Sequence, residues 1–174
     1  MAVQVVVNGL CRVYLDTGAA NALEELGRTR NGADVTLESR FVDVPGDEFG
    51  GEEGPPVDVQ YLGAIARVRL ELTKFDDAVA DKVRAVLYDG TAGTPMGPGT
   101  LVFQDRQEFR LLLKTVRKPM NFERAFPRQA VEQNKGTKFS TLVVEFECHE
   151  DDVGVLYNES IAESTEESSG SSES

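Results

Sequence analysis

Residues 64–75 read AIARVRLELTKF, and this stretch decides the fold. Apolar and polar side chains alternate along it, as they do in a strand with one buried face and one solvated face. The inward set is Ala66, Val68, Leu70 and Leu72, and the outward set is Ile65, Arg67, Arg69 and Glu71. The alternation therefore predicts a half-buried strand of a sheet that covers a single core.

The segment that follows, DDAVADKVRAVL, changes from a strand period to a helix period. Asp76 can cap a first turn, and an apolar stripe repeats at helical spacing along Val79, Val83, Val86 and Leu87. We expect this helix to pack on the sheet through that stripe. Further along the chain, KFSTLVVEFECHE alternates again, with Leu142, Val144, Phe146 and Cys148 on one face.

Other elements are predicted from shorter signals. Residues 35–41, 100–103 and 108–116 are predicted as strands, residues 21–27 as a short capped helix, residues 28–32 as a turn, and residues 119–133 as irregular. Asn8-Gly9 between two apolar runs favours a tight hairpin, with one long strand bulged at Gly9 as the alternative. Together these signals predict a mainly β fold with a packed α-helix, a β-sandwich or barrel of about seven strands.

Length and composition indicate one folded domain and an acidic tail. The chain has 174 residues, 40% of them hydrophobic, and residues 1–158 suffice for a single core. Residues 159–174 hold Glu and Ser with Ile161 as the one large apolar residue, so we expect a disordered tail that is dispensable for folding. The N-terminus lacks a basic region followed by a long apolar stretch, which predicts synthesis without a secretory signal.

Charge is distributed unevenly along a chain whose net charge is −12. Residues 38–58 hold seven acidic residues against one arginine, whereas residues 106–138 hold nine basic residues against three acidic ones. The net charge argues against non-specific binding to nucleic acid or to anionic membranes. The two oppositely charged stretches favour attraction between segments of one chain or of identical neighbours.

Signals for catalysis are poor. His149 is the one histidine, and its neighbour Cys148 must point to the opposite face of the strand, so the two cannot form a dyad. We interpret His149 as a solvated residue at a strand end. The chain has neither a GxSxG elbow nor a phosphate-binding loop, and it has too few Cys and His residues for a zinc site, so we expect no enzyme, no cofactor and no metal.

The long acidic segment DVPGDEFGGEEGPPVDVQYLG, residues 43–63, is interpreted as an arm that contacts a neighbouring subunit. Its acids are not spaced as in an EF-hand calcium loop, and no tryptophan is present to stack a sugar beside its carboxylates. Long loops in compact domains are usually functional or disordered. The predicted contact residues are Asp47, Glu48, Phe49, Gly50, Gly51, Glu52, Glu53, Gly54, Pro55, Pro56 and Asp58.

The central third of the chain resembles bacteriophage tail tube proteins and related virion proteins. The matching features are Leu26-Gly27, a strand at 35–44, an acidic glycine-containing loop at 47–54, Pro56-Val57-Asp58, Gly63 and the alternating strand at 65–73. The resemblance implies a non-enzymatic structural protein of a virion tail, assembled in the cytoplasm of a bacterial host. Six copies would form a ring in which strands join into a ring-wide β-barrel, and stacked rings would form a hollow tube.

The same resemblance implies the partners of the chain. DNA would pass through the tube without specific binding, and a sheath or other tail proteins would contact its outside, with no membrane involved. The long Glu/Ser tail departs from the simple pattern and leaves open a capsid cement, head-completion or neck protein. A small hydrolase that uses loop carboxylates is the third interpretation.

The two cysteines, Cys11 and Cys148, are far apart in sequence and form no CxxC pair. One interpretation is a pair of buried thiols, since Cys148 shares a strand face with apolar residues. The other is that at least one of them forms an inter-subunit or tube-to-partner disulfide once a particle leaves the reducing cytosol.

Overall fold

The fold is that of a computed structural model, which describes residues 2–7, 10–16, 23–46, 56–87, 97–99, 101–103, 108–116, 118–128, 132–135 and 140–159. Its elements in chain order are β1 (Ala2–Val7), β2 (Cys11–Asp16), β3 (Leu23–Val44), β4 (Asp58–Phe75), α1 (Asp77–Leu87), β5 (Phe109–Lys114), β6 (Met120–Pro127), β7 (Glu132–Lys135) and β8 (Ser140–His149).

Six strands close into an antiparallel barrel. The hydrogen-bonded order is β3-β2-β5-β6-β8-β4, and β4 returns to pair with β3. Two more strands flank the barrel, since β1 pairs with β3 and β7 pairs with β8. Closure satisfies the backbone hydrogen bonds of both edges of the sheet, which an open sheet would leave exposed. The prediction of a mainly β barrel with one packed helix is confirmed.

Alternating side chains fill the barrel interior. Strand β4 contributes Ala66, Val68, Leu70 and Leu72, and β8 contributes Leu142, Val144, Phe146 and Cys148, as predicted. The other strands add the remaining apolar positions, among them Val13, Leu15, Val35, Leu111, Leu113 and Phe122. Because inward side chains occupy the whole interior, this barrel has a packed core.

Helix α1 packs on the core through Val79 and Val83 of the predicted stripe, while the side chains of Val86 and Leu87 lie outside the described part of the chain. The Asp76 carboxylate accepts hydrogen bonds from the amides of Ala78 (2.8 Å) and Val79 (3.3 Å), so it caps the first turn. Val79, Ala80 and Val83 are buried with the barrel residues. Among the helices of the described ranges, none is long and apolar enough to cross a membrane.

The predicted helix at 21–27 is wrong where the structure describes it. Residues 23–27 belong to β3 and pair with β2, while the ladder with β4 begins only at Gly27. Pairing with β2 outweighs a weak local helix signal, because tertiary pairing routinely overrides propensity. The predicted turn at 28–32 is also wrong, since β3 passes through it with an irregular register before Ala33.

The predicted hairpin at Asn8-Gly9 is contradicted by the pairing of the strands on either side. Strand β1 pairs antiparallel with residues 33–38 of β3, and β2 pairs antiparallel with residues 23–29 of the same strand. The two strands therefore run in one direction along one edge of β3, as the alternative of a single interrupted strand requires. Asn8 and Gly9 themselves lie outside the described residues.

Two further predictions fail. Residues 101–103 contain a turn at Val102 and Phe103 and no strand, and the span expected to be irregular contains β6 and β7. In β6 a register shift opposite Phe109 and Leu111 puts Phe122 and Ala125 on the same buried face. This bulge breaks the period of two, which is why the sequence pattern does not indicate a strand there. The segment after 159 lies outside the described residues.

Candidate interaction surface

One hairpin extends beyond the barrel. The β3–β4 ladder runs from Gly27 and Phe75 to Val44 and Asp58, but β8 accompanies β4 only between Ile65 and Leu72. On the other edge, β1 accompanies β3 only over residues 33–38. Within the described part of the chain, residues 39–46 and 56–62 therefore pair only with each other. We call these two segments the hairpin arm.

The arm is an antiparallel ladder built from strand-favouring residues, with one register shift between Arg40 and Phe41. Phe41 is opposite Tyr61, with ring centroids 5.4 Å apart, and Val42 is opposite Gln60. At the far end the Val57 amide donates to the Val44 carbonyl at 3.0 Å. β-Branched and aromatic residues fit this pleated geometry, so the arm follows from its local sequence.

Apolar side chains cover both faces of the arm. Phe41 and Tyr61 share one face, while Val42 and Val44 lie on the other, because successive side chains of a strand alternate. The exposed fractions are 57% for Phe41, 44% for Val42, 36% for Val44, 50% for Val57, 51% for Val59, 51% for Tyr61 and 58% for Leu62. Exposed apolar side chains clustered in this way are typical of an interaction site, and a lone two-stranded hairpin is only marginally stable in water.

Glu150 holds the base of the arm against the barrel. One of its carboxylate oxygens accepts hydrogen bonds from the Ala64 amide, at 2.9 Å, and from the Tyr61 hydroxyl. The bond to Glu150 raises the pKa of Tyr61 because it stabilises the protonated phenol. Between these two donors Gly63 has a φ of +114°, which a side chain would strain. Glu150 and Gly63 therefore fix the conformation of β4 where the arm begins.

The predicted contact loop lies at the tip of this arm, mostly outside the described residues. Nine of its positions, residues 47–55, are in that part of the chain, while Pro56 and Asp58 are exposed at the start of the returning strand. The acidity of residues 47–58 indicated a contact, whereas the apolar strands of the arm on either side were not predicted to be exposed. The signal was present: RFVDV at 40–44 and VDVQYL at 57–62 are rich in strand formers.

His149 is more enclosed than predicted. Its ring stacks on Phe126 with centroids 5.7 Å apart and meets the edge of Phe103 at 4.9 Å. Its Nε2 shares a hydrogen bond of 2.9 Å with Glu147, which also accepts from Arg128. Cys148 points into the barrel, so no Cys–His dyad forms. This arrangement is a packed ion-pair cluster without a nucleophile.

Glu147 is the buried member of that cluster, and its ionisation should contribute to stability. Burial by itself would raise the pKa of Glu147, but the hydrogen bonds from Arg128 and His149 outweigh burial and lower it. A carboxyl whose pKa is lower in the folded state stabilises the fold above its unfolded pKa. That stabilisation is lost as the pH falls through the folded value.

Glu147→Gln should accordingly lower the free energy of unfolding by about 1–3 kcal/mol at pH 7. The difference from the parent should shrink as the pH falls below the ordinary value of 4.5, because the parent then loses the same charge. Urea unfolding at a series of pH values measures this. Glu145→Gln, two residues earlier on the same face of β8, is the matched control, and an equal effect of both changes would contradict the role of the cluster.

Both cysteines lie in the barrel interior. Cys11 and Cys148 are free and fully buried, and burial raises the pKa of Cys11 to about 11 and that of Cys148 well above its ordinary value. This position favours the interpretation as two buried thiols. The inter-subunit disulfide stays a prediction, which requires the barrel to open locally. Non-reducing electrophoresis of assembled particles, alkylated from the start, checks it through a ladder that collapses with reductant.

The described residues contain no group of three or more Cys, His, Asp or Glu side chains placed to hold a metal ion. A cavity of about 410 Å³ opens on the outer face of β3, β4 and β8. Its lining includes two basic residues, Arg30 and Arg69, and two acidic residues, Asp34 and Glu71. A second cavity, of about 280 Å³, lies at the base of the arm. Its lining includes Arg40, Phe103, Arg124, His149 and Glu150.

No family model matches the chain, and no curated protein matches it. Among solved structures, a chain in the virion of a native gene transfer agent (GTA) particle is 10% identical, with a TM-score of 0.47, over 81% of this chain and 92% of that one. A chain in the tail of an empty GTA particle with C6 symmetry is 10% identical, with a TM-score of 0.48, over 86% of this chain and 95% of that one.

Proposed function

We propose that the chain is a structural subunit of a phage-type tail and assembles with copies of itself through the hairpin arm. The observation that carries the proposal is the exposure of apolar side chains on both faces of the arm. In water such an arm is stabilised little by its own ladder, so a neighbouring subunit is its natural environment. The acidic tip, residues 47–58, extends the same contact.

Unpaired strand edges support strand addition between copies. Within the described ranges, β1 pairs only with β3, β7 pairs only with β8, and each strand of the arm pairs only with the other. Backbone groups along such edges accept another strand readily. Six copies joined in this way would form a ring whose strands make one continuous barrel, as the tail tube resemblance implies.

Stacked rings would form a tube through which DNA passes. A net charge of −12 disfavours binding of DNA to the wall, which suits a conduit. The chain would act in the virion tail, where its role is assembly rather than catalysis. A sheath or other tail proteins would be its further partners.

Negative-stain microscopy of the purified chain tests this function. Tubes or six-fold rings are the expected result. Trimers, or particles that bind capsids and form no rings, would favour a capsid cement, head-completion or neck protein instead. A chain that stays monomeric at high concentration, with its arm intact, would contradict self-assembly.

A further inference from the structure

Four basic residues form one row across the outer face of the barrel. The strand registers place Lys74 opposite Arg28, Arg28 opposite Arg12, and Arg12 opposite Lys114, on β4, β3, β2 and β5. We call these four residues the cation row. Register partners share a face, and Arg12 lies between the buried Cys11 and Val13, so the row points outward.

Repulsion between these four cations destabilises the sheet unless an acidic segment covers them. Like charges directly opposite each other destabilise neighbouring strands, and this chain is acidic overall. Glu25 pairs with Arg28 at 2.8 Å, and the Lys114 ammonium lies 5.0 Å from the centre of the Tyr14 ring. Among the described carboxylates, none forms an ion pair with Arg12 or Lys74.

The last described residues lead the chain towards this row. Asn158 forms an antiparallel bridge with Asn121 of β6, through backbone hydrogen bonds of 2.9 and 3.0 Å. Asn121 is opposite Leu112 of β5, and Met120 is opposite Leu113. Because the bridge is antiparallel, the residues after Asn158 advance along β6 towards Met120, which is the direction of Lys114.

An ion pair at the exit reinforces this direction. The carboxylate of Glu159 lies 2.5 Å from the ammonium of Lys118, which is in the β5–β6 connection. The Lys118 carbonyl in turn accepts from the hydroxyl of Thr115, the residue next to Lys114. The first acid of the tail is therefore held by the connection that follows Lys114, the last residue of β5.

The rest of the tail is long enough to cross the cation row and carries the opposite charge. Residues 160–174 contain no basic residue, and their acids are Glu163, Glu166, Glu167 and Glu173. Fifteen residues reach at most about 50 Å, and the backbones of four adjacent strands span about 14 Å. The acidic tip of the same chain is an unsuitable occupant, because Val44, where β3 ends, lies sixteen positions along the strand from Arg28, a rise of up to about 50 Å.

We infer that the cation row is the docking surface of the chain's own acidic tail, residues 160–174. The tail would lie across β5, β2, β3 and β4 and neutralise Lys114, Arg12, Arg28 and Lys74 through exposed ion pairs. Exposed pairs add little to the stability of the fold, so a tail held in this way remains dispensable for folding. The inference is independent of the proposed function.

Zero-length carbodiimide cross-linking of the full chain tests the inference, because it joins only carboxylates and lysines in direct contact. Equal amounts of ¹⁴N- and ¹⁵N-labelled chain are mixed before any assembly and treated at low salt. Peptides that join Lys74 or Lys114 to Glu163, Glu166, Glu167 or Glu173 within chains of one label are the expected product. The Lys118–Glu159 and Lys82–Glu24 pairs, at 2.5 and 2.6 Å, are the internal positive controls.

A rise in ionic strength and one substitution provide two further tests. Raising the ionic strength from about 0.01 to about 1 M shortens the screening length from about 30 to about 3 Å and should abolish the tail cross-links. Arg12→Glu should abolish them at low salt while the Lys82–Glu24 control persists. Two results would overturn the inference: control cross-links without tail cross-links, or cross-links from Lys74 and Lys114 to residues 47–58 of a chain with the other label.

Discussion

Replacement of Phe41, Val59 and Leu62 by serine should abolish assembly and leave the barrel folded. These side chains are 57%, 51% and 58% exposed, so the core does not depend on them. Each of these side chains is already about half covered, so burial of its exposed part in a contact contributes about 0.8–1.5 kcal/mol. Loss of three from each interface should therefore weaken association by about fiftyfold to about two-thousandfold.

Sedimentation velocity measures assembly of this triple variant, and thermal unfolding followed by circular dichroism measures its fold. The matched control replaces three exposed apolar residues outside the arm, Leu10, Val116 and Val153, which are 51%, 79% and 86% exposed. The control should assemble like the parent. Deletion of residues 49–54 at the tip should also give a folded monomer. An arm variant that assembles as readily as the parent would show that the arm is not the contact.

The buried faces of long strands could be predicted from the sequence because their alternation survives in the fold. Ala66, Val68, Leu70 and Leu72 are all buried, and so is the predicted face of β8. Each of these strands pairs in an uninterrupted register with its neighbour over this stretch. A regular ladder preserves the period of two, and that period is the main signal a sequence contains.

Elements that depend on distant partners could not be predicted in the same way. Residues 23–27 have a capped-helix signature but pair with β2, and β6 contains a bulge that disrupts its alternation. Closure of the barrel itself rests on the β3–β4 ladder, whose register is a property of the whole fold. A local sequence pattern does not specify such pairing, because the contribution of a side chain in a strand depends on the side chains of the neighbouring strands.

The candidate site was predicted in part for a similar reason. Acids, glycines and prolines between two strands indicated a long loop, and residues 47–55 of that segment lie outside the described residues. The two strands of the arm, residues 39–46 and 56–62, were not predicted as a contact surface, because apolar residues in a strand ordinarily indicate a buried core. Only the fold shows that β8 and β1 stop pairing before the arm begins, so that Phe41 and Tyr61 remain exposed.

Phe146→Ala should be the most destabilising single change in the barrel. The side chain is fully buried, and the registers place it level with Val68 of β4 and Pro127 of β6. Removal of a buried phenyl ring loses its burial and leaves a cavity that closed strands cannot collapse to fill, which costs about 3–5 kcal/mol. Domains of this size are stable by about 5–15 kcal/mol, so the loss is a large part of the total.

Urea unfolding of the Phe146→Ala variant measures this loss, with Val143→Ala as the matched control on the outward face of the same strand. Val143 is half-buried, so its truncation should cost about 1 kcal/mol or less. The slope of free energy against urea should be the same for both variants, because the barrel still unfolds as one unit. Equal losses at the two positions would contradict the assignment of the inward face of β8. Because Phe146 lies inside the barrel and the arm lies beyond it, the folded Phe146→Ala chain should still assemble below its melting temperature, which separates loss of stability from loss of contact.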